Sequence, residues 1–208
     1  MNEKMTEAGG DRRTQLRQRL IEAAQETIAA RGLAGLKARD LAAAAGCALG
    51  AIYTAFDDLD ELILRVNART LQRLDAAIEA ALGDADAEQA LQTMARTYLS
   101  FARREEPSWR ALFEHRLPKG TAPPQWYVDA RNRLFHRLDA PLEHLLPGTG
   151  QEARESLART LFSAVHGVVA LGLEEKIAET PPKLLDEQLE KLVRILADGL
   201  MMESARLI

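Results

Sequence analysis

Four basic side chains, Arg12, Arg13, Lys37 and Arg39, precede a stretch with very little polar chemistry, Ala48-Leu49-Gly50-Ala51-Ile52-Tyr53-Thr54-Ala55-Phe56. Guanidinium and ammonium groups neutralise phosphate esters, while a small hydroxyl residue and bare methyls can meet base edges. Gly50 lets the backbone approach a phosphate closely. The combination points to polyanion binding rather than bond making. No glycine-rich phosphate loop, nucleophile elbow, or Cys-His or Ser-His spacing with a local rationale accompanies it, so no enzyme is expected. His115, His136, His144 and His166 are scattered. His136 and His144 share a helical spacing but lack a cysteine or a tight carboxylate pair, so no metal site and no cofactor are expected. The single cysteine, Cys47, excludes an intrachain disulfide and reads as a packed turn residue.

Positioning these residues requires short helices. Leu36 to Ala45 carries apolar residues at 36, 41 and 45 with small ones between, so one face packs and a second helix can come close. Gly46 ends it, supplying the left-handed backbone of a helix C-terminus without steric cost. Ala48 to Phe56 then places Ile52 and Phe56 on one side and leaves the other outward. This is the layout that holds a helix out to the major groove of DNA. Upstream, Leu16, Leu20, Ile21, Ala24 and Ile28 form the stripe of a longer helix ending at Arg31-Gly32. Downstream, Asp57-Asp58 stands where an N-cap is needed, and Leu59, Leu62, Ile63, Val66, Leu71, Leu74 and Ile78 continue as one long amphipathic helix.

Over roughly the first 65 residues the chain resembles the TetR family of transcriptional regulators. The positions carrying the likeness are Ala23-Ala24, Arg31-Gly32, Arg39-Asp40-Leu41-Ala42, Ala45-Gly46, Gly50, Ile52-Tyr53, Phe56 and Leu62. Trp109 and His166-Gly167 look like the signature of one C-terminal subclass. The resemblance implies an all-α fold of about nine helices. A three-helix helix-turn-helix DNA-binding domain, residues 11–57, would precede a helical effector-binding and dimerisation domain, residues 58–208. It further implies a homodimer, double-stranded operator DNA as partner, and a small-molecule effector, here expected to be apolar or amphipathic. Carried onto this chain, the DNA-contacting set is Arg12, Arg13, Lys37, Arg39, Ala48, Leu49, Gly50, Ala51, Tyr53 and Thr54.

Departures from the family pattern fall on that surface. Where many members have Ser or Thr, then Lys or Arg, this chain has Ala48, Leu49 and Ala51, and the common Lys of the next helix is Leu59 inside the acidic run Asp57-Asp58-Leu59-Asp60-Glu61. Two readings fit. The methyls of Thr54, Ala48 and Ala51 read thymine while arginines elsewhere supply affinity, with Arg12, Arg13, Arg17 and Arg19 forming a basic arm ahead of the first helix. Alternatively, the chain is a helical adaptor or sensor in which DNA binding is weak or lost.

Charge fits a localised DNA-reading head. The chain is at −4 overall, but eight basic against six acidic residues up to Phe56 give that segment +2 and leave −6 on the rest. With 208 residues and 47% hydrophobic content the chain can bury a good-sized core. Met1–Gly10 lacks a signal-peptide core, and no segment is read as a membrane span, so a cytoplasmic protein is expected. A helix opens at Pro107, and another runs from about Gln125 past Pro141 to Leu145, interrupted or kinked at the proline. Tyr98, Phe101, Trp109, Phe113, Trp126 and Phe135, with His166, are the candidate lining of a ligand pocket. Leu157, Leu161, Val165 and Val168, then Leu189, Leu192 and Leu196, are the candidate dimer interface, with Ser163, Gly167 and Ala170 as a small-residue face.

Overall fold

Helix boundaries fall where single residues impose them. In the computed structural model, which describes residues 2–83, 85–174 and 181–206, the chain is all-helical with no strand among the described residues. The helices are α1 (Asn2–Arg31), α2 (Ala38–Ala44), α3 (Leu49–Ala55), α4 (Leu59–Leu82), α5 (Ala87–Arg104), α6 (Glu106–Glu114), α7 (Gln125–His136), α8 (Asp139–Leu145), α9 (Gln151–Leu173) and α10 (Pro182–Arg206), with a 3₁₀ turn at Leu33–Gly35. Counting α7 and α8 as one interrupted helix gives the expected nine. Gly32 and Gly46 adopt φ of 68° and 64°, so both turns of the helix-turn-helix rest on left-handed backbone that a side chain would strain. Asp58 Oδ1 accepts the Glu61 amide at 2.7 Å and so caps α4, and the Glu61 carboxylate reaches back to accept the amide of Asp57, the residue before the cap, at 3.0 Å. Asp86 caps α5 the same way through the Gln89 amide at 2.9 Å.

Two compact units result, one of Met1–Thr70 with Glu105–Val128, the other of Leu71–Arg104 with Asp129–Ile208. The division therefore runs through α4 rather than between residues 57 and 58, and it returns α6 to the N-terminal unit. That unit encloses Leu20, Ala24, Ile28, Leu41, Ile52 and Phe56 with Leu62, Val66 and Ala111, and Cys47 packs partly buried against them. Burial of this apolar set, at roughly 25 cal/mol per Å², is what holds helices as short as α2 and α3 in place. The other unit packs α5 against α8, α9 and α10. Arg103 bonds Asp186 at 2.7 Å and the Pro182 carbonyl at 2.7 Å, fixing the start of α10 to the end of α5. Gly172 lets α9 and α10 touch: a Cβ there would lie 2.4 Å from Leu185 Cδ1.

Three expectations are corrected. The break after α7 falls at Arg137-Leu138, before Pro141, which sits buried in the first turn of α8 where its missing N–H does no harm. Arg12 and Arg13 belong to α1 itself, not to an arm ahead of it, because that helix begins at Asn2. α9 passes a length-and-composition test for a membrane span, as a core helix also can. Glu152, Arg154, Glu155 and Arg159, however, leave it no uncharged run longer than residues 160–173, short of the roughly 20 a span requires, so the expectation of no membrane span is unchanged. Finally, Leu161 and Leu189 are 8% and 1% exposed and serve their own unit's core, so they are not part of a surface open to a partner.

Candidate nucleic-acid interface

Within the N-terminal unit the buried and outward residues of α2 and α3 separate cleanly. Leu41, Ala42, Ile52 and Ala55 face the core. Lys37, Arg39, Ala48, Leu49, Gly50, Tyr53 and Thr54 are exposed, Leu49 by 42% and Tyr53 by 58%, with Ala51 half-buried between them. Arg12 and Arg13 are exposed on α1. None of the four cations makes an ion pair among the described residues. Lys37 and Ala48 are the N-caps of α2 and α3, and neither provides a side-chain cap, so first-turn amides of both helices are left for an outside acceptor. No atom lies within 4 Å of a Cβ built on Gly50; the fold does not require glycine there.

Arg17 takes no part in that surface. Its guanidinium donates to the Ala55 carbonyl at the end of α3, pairs with Glu61 at 2.7 Å, and lies 4.3 Å from the Phe56 ring centroid. It therefore pins the C-terminal end of α3 to the start of α4. Two carboxylates of the acidic run, those of Asp58 and Glu61, are absorbed in the same way. Asp58 caps α4, and Glu61 receives Arg17, Arg65 at 3.3 Å and the Asp57 amide. Burial alone would raise the Glu61 pKa, but those partners outweigh it and hold the carboxylate below its usual value. Asp60 stands 3.6 Å from His115 Nε2. That nitrogen is buried without a hydrogen-bond partner, and burial keeps the imidazole pKa below normal despite the nearby Asp60 and Asp58. The Asp58-x-x-Glu61 spacing was the sequence signal for this cluster; nothing local marked Arg17 as its partner, 44 residues away from Glu61.

The seven residues expected to line one pocket divide between the units. In the N-terminal unit Trp109 is buried and meets Phe113 edge-on at 5.5 Å, and Trp126 stacks under Arg65 with its guanidinium carbon 3.9 Å from the ring centroid. In the C-terminal unit Tyr98, Phe135 and His166 come together around Phe162, a residue absent from the expected set. Tyr98 Oη and His166 Nδ1 are 2.8 Å apart, Phe162 stacks on His166 at 5.7 Å, and Phe135 meets Phe162 edge-on at 5.4 Å. Burial lowers the His166 pKa, favouring the neutral ring. Phe162 lies one helical turn before His166, a spacing that was readable in the sequence. Phe101 is buried at 1% exposure, with the Arg104 guanidinium 5.7 Å from its ring.

Around α9 and α10 the large apolar residues left outward are Leu171, Leu184, Ile195, Met201 and Met202, 53%, 44%, 57%, 39% and 62% exposed. Leu157, Val165, Val168, Leu192 and Leu196 are half-buried beside them. Gly167 and Gly199 have open space where a Cβ would stand.

Residues 20–66 match the family model of bacterial regulatory proteins of the tetR family, and residues 91–196 match that of the Tetracyclin repressor-like C-terminal domain. The chain belongs to the TetR family of transcriptional regulators. No curated protein matches it in sequence. Among solved structures it is similar to a protein of unknown function from Rhodococcus sp. RHA1, with 23% identity, TM-score 0.65 and coverage of 90% of this chain and 94% of that one. A possible TetR family transcriptional regulator from Streptomyces coelicolor A3(2) gives 21%, 0.64, 88% and 98%. The transcriptional regulator FadR from Bacillus subtilis, solved in complex with stearoyl-CoA, gives 17%, 0.63, 85% and 96%.

Proposed function

We propose that the protein is a ligand-responsive homodimeric repressor that binds a partly palindromic operator with one α3 per half-site. The observation that carries this reading is the division of α2 and α3: their apolar sides fill one core, while every expected DNA-contacting residue on them except half-buried Ala51 is exposed, with Lys37 and Arg39 making no ion pair among the described residues. Dimerisation is supported by α9, an apolar helix most of whose apolar residues are only half-buried by its own chain, and by the outward Leu171, Ile195 and Met202 of α9 and α10. A second copy packing on that face would bury it in a four-helix bundle. An apolar or amphipathic effector would enter the C-terminal unit at Tyr98, Phe135, Phe162 and His166; the stearoyl-CoA bound to one similar fold is such a molecule. Its differential binding would bias the pivot of α4, which is continuous through both units, and move the two α3 helices out of register with successive major grooves. No turnover is part of this reading.

The exposed, apolar Leu49 and Tyr53 favour a second reading, a helical adaptor that has left DNA behind. Selection from random-sequence duplex DNA by the full-length protein at near-physiological salt separates the two. An enriched palindrome supports the regulator; no enrichment from folded, dimeric protein supports the adaptor. Ile195→Glu, at an outward position, should yield folded monomer by sedimentation if α10 meets a second copy.

A further inference from the structure

We infer that α3 reads its half-site chiefly through the 5-methyl groups of thymine, with Leu49 setting that preference. This rests on the DNA-binding reading above and names the chemistry of the partner at the same surface. From Ala48 to Phe56 there is no Lys, Arg, Asn, Gln, Asp or Glu. The bidentate contacts that select guanine or adenine, and the carboxylate that accepts from cytosine, therefore have no source on this helix. Of the two hydroxyl side chains present, that of Thr54 is turned back to its own backbone, donating its hydrogen to the Gly50 carbonyl at 3.3 Å. Leu49, Ala48 and Ala51 present only carbon.

Charge identifies the occupant of this apolar strip. Lys37 and Arg39 at the start of α2 and Arg12 and Arg13 on α1 are exposed in the same unit without ion pairs among the described residues, and of the acidic run after α3, Asp58 is drawn into a cap and Glu61 into ion pairs of its own. A strip of methyls accompanied by free cations suits a polyanion that carries an apolar group in its groove. In the major groove of B-DNA that group is the thymine methyl. The cations supply affinity without sequence information, and the methyls supply the sequence.

The test begins with the operator recovered by selection on full-length protein. Each thymine in a half-site is then replaced by deoxyuridine, which removes only the methyl. A contacted position should lose about fourfold in affinity, as expected for one buried methyl-sized group. Leu49→Ala, an exposed substitution that leaves the core intact, should bind thymine and deoxyuridine operators alike at the position Leu49 covers. An enriched operator that is indifferent to every such exchange, or that carries G·C pairs where α3 protects it, overturns methyl readout while leaving the regulator standing. Absence of any enriched sequence removes the regulator reading, and methyl readout with it.

Discussion

Arg17→Ala tests whether the helix-turn-helix is braced from outside α3. Arg17 is 26% exposed and makes three contacts at one end of α3: the Ala55 carbonyl, Glu61 at 2.7 Å and the face of Phe56 at 4.3 Å. A charge-assisted hydrogen bond contributes about 1.5–3 kcal/mol, a cation–π contact near the surface about 0.5–1 kcal/mol, and a partly exposed ion pair at most about 1 kcal/mol. These share one side chain and do not add in full, so the expected loss is about 2–3 kcal/mol. Glu61→Gln keeps an acceptor for the Asp57 amide and removes only the charge. The double variant should therefore show a coupling of roughly 0.5–1.5 kcal/mol. Equilibrium urea unfolding at pH 7 and fixed protein concentration reads both quantities, since self-association makes apparent stability concentration-dependent. The salt dependence of DNA binding gives an independent check. A committed Arg17 leaves the slope unchanged, whereas a phosphate-binding arm residue would lower it by about one unit. A stability loss below about 0.5 kcal/mol together with a lowered slope would show Arg17 to be a free cation and refute the brace.

Lys37→Ala and Arg39→Ala should each weaken binding similarly across DNA sequences and reduce the log–log salt slope by about 0.9 per phosphate lost; an unchanged slope in both would move the phosphate contacts elsewhere. Gly172→Ala should destabilise by about 1 kcal/mol in urea unfolding. Overpacking against Leu185, itself 1% exposed, outweighs the roughly 1 kcal/mol gained in helix propensity, whereas Gly50→Ala, with open space around it, should cause no loss. Stability should also fall on mild acidification. His115 and His166 both have pKa values lowered from 6.5 by burial, so the fold favours their neutral forms. Their contribution is intact above about pH 6.5 and is lost as pH drops toward the folded values. A urea midpoint that rises between about pH 6.5 and 5.5 would mean that Asp60 and Asp58 govern His115 more than burial does. The Glu61 contribution persists to lower pH, being lost only as the pH falls below the ordinary 4.5.

The sequence by itself determined the parts of this protein that local rules govern. Gly46 dictated a left-handed turn, Asp58 and Glu61 a helix start, and the periodic Leu20, Ala24 and Ile28 a buried face; all three rest on contacts within a few residues or on a repeating side-chain period. The outward set on α2 and α3 was legible for the same reason, since a short helix with one apolar side has little choice about which side to bury. Only the tertiary structure decided which charge meets which partner and which leucines stay available. Arg17 and Arg39 are equally basic in sequence, yet one is spent on Glu61, Phe56 and the Ala55 carbonyl while the other faces solvent. Leu189 and Ile195 lie on the same helix, and packing against α5 and α9 buries the first and leaves the second outside. Likewise the aromatic residues between 98 and 135 read as one cluster along the chain, but the division into two units sends Trp109, Phe113 and Trp126 to one and Tyr98 and Phe135 to the other. Long-range ion pairs and helix packing depend on residues dozens of positions apart, and no local propensity or spacing encodes which of several similar side chains the fold will claim.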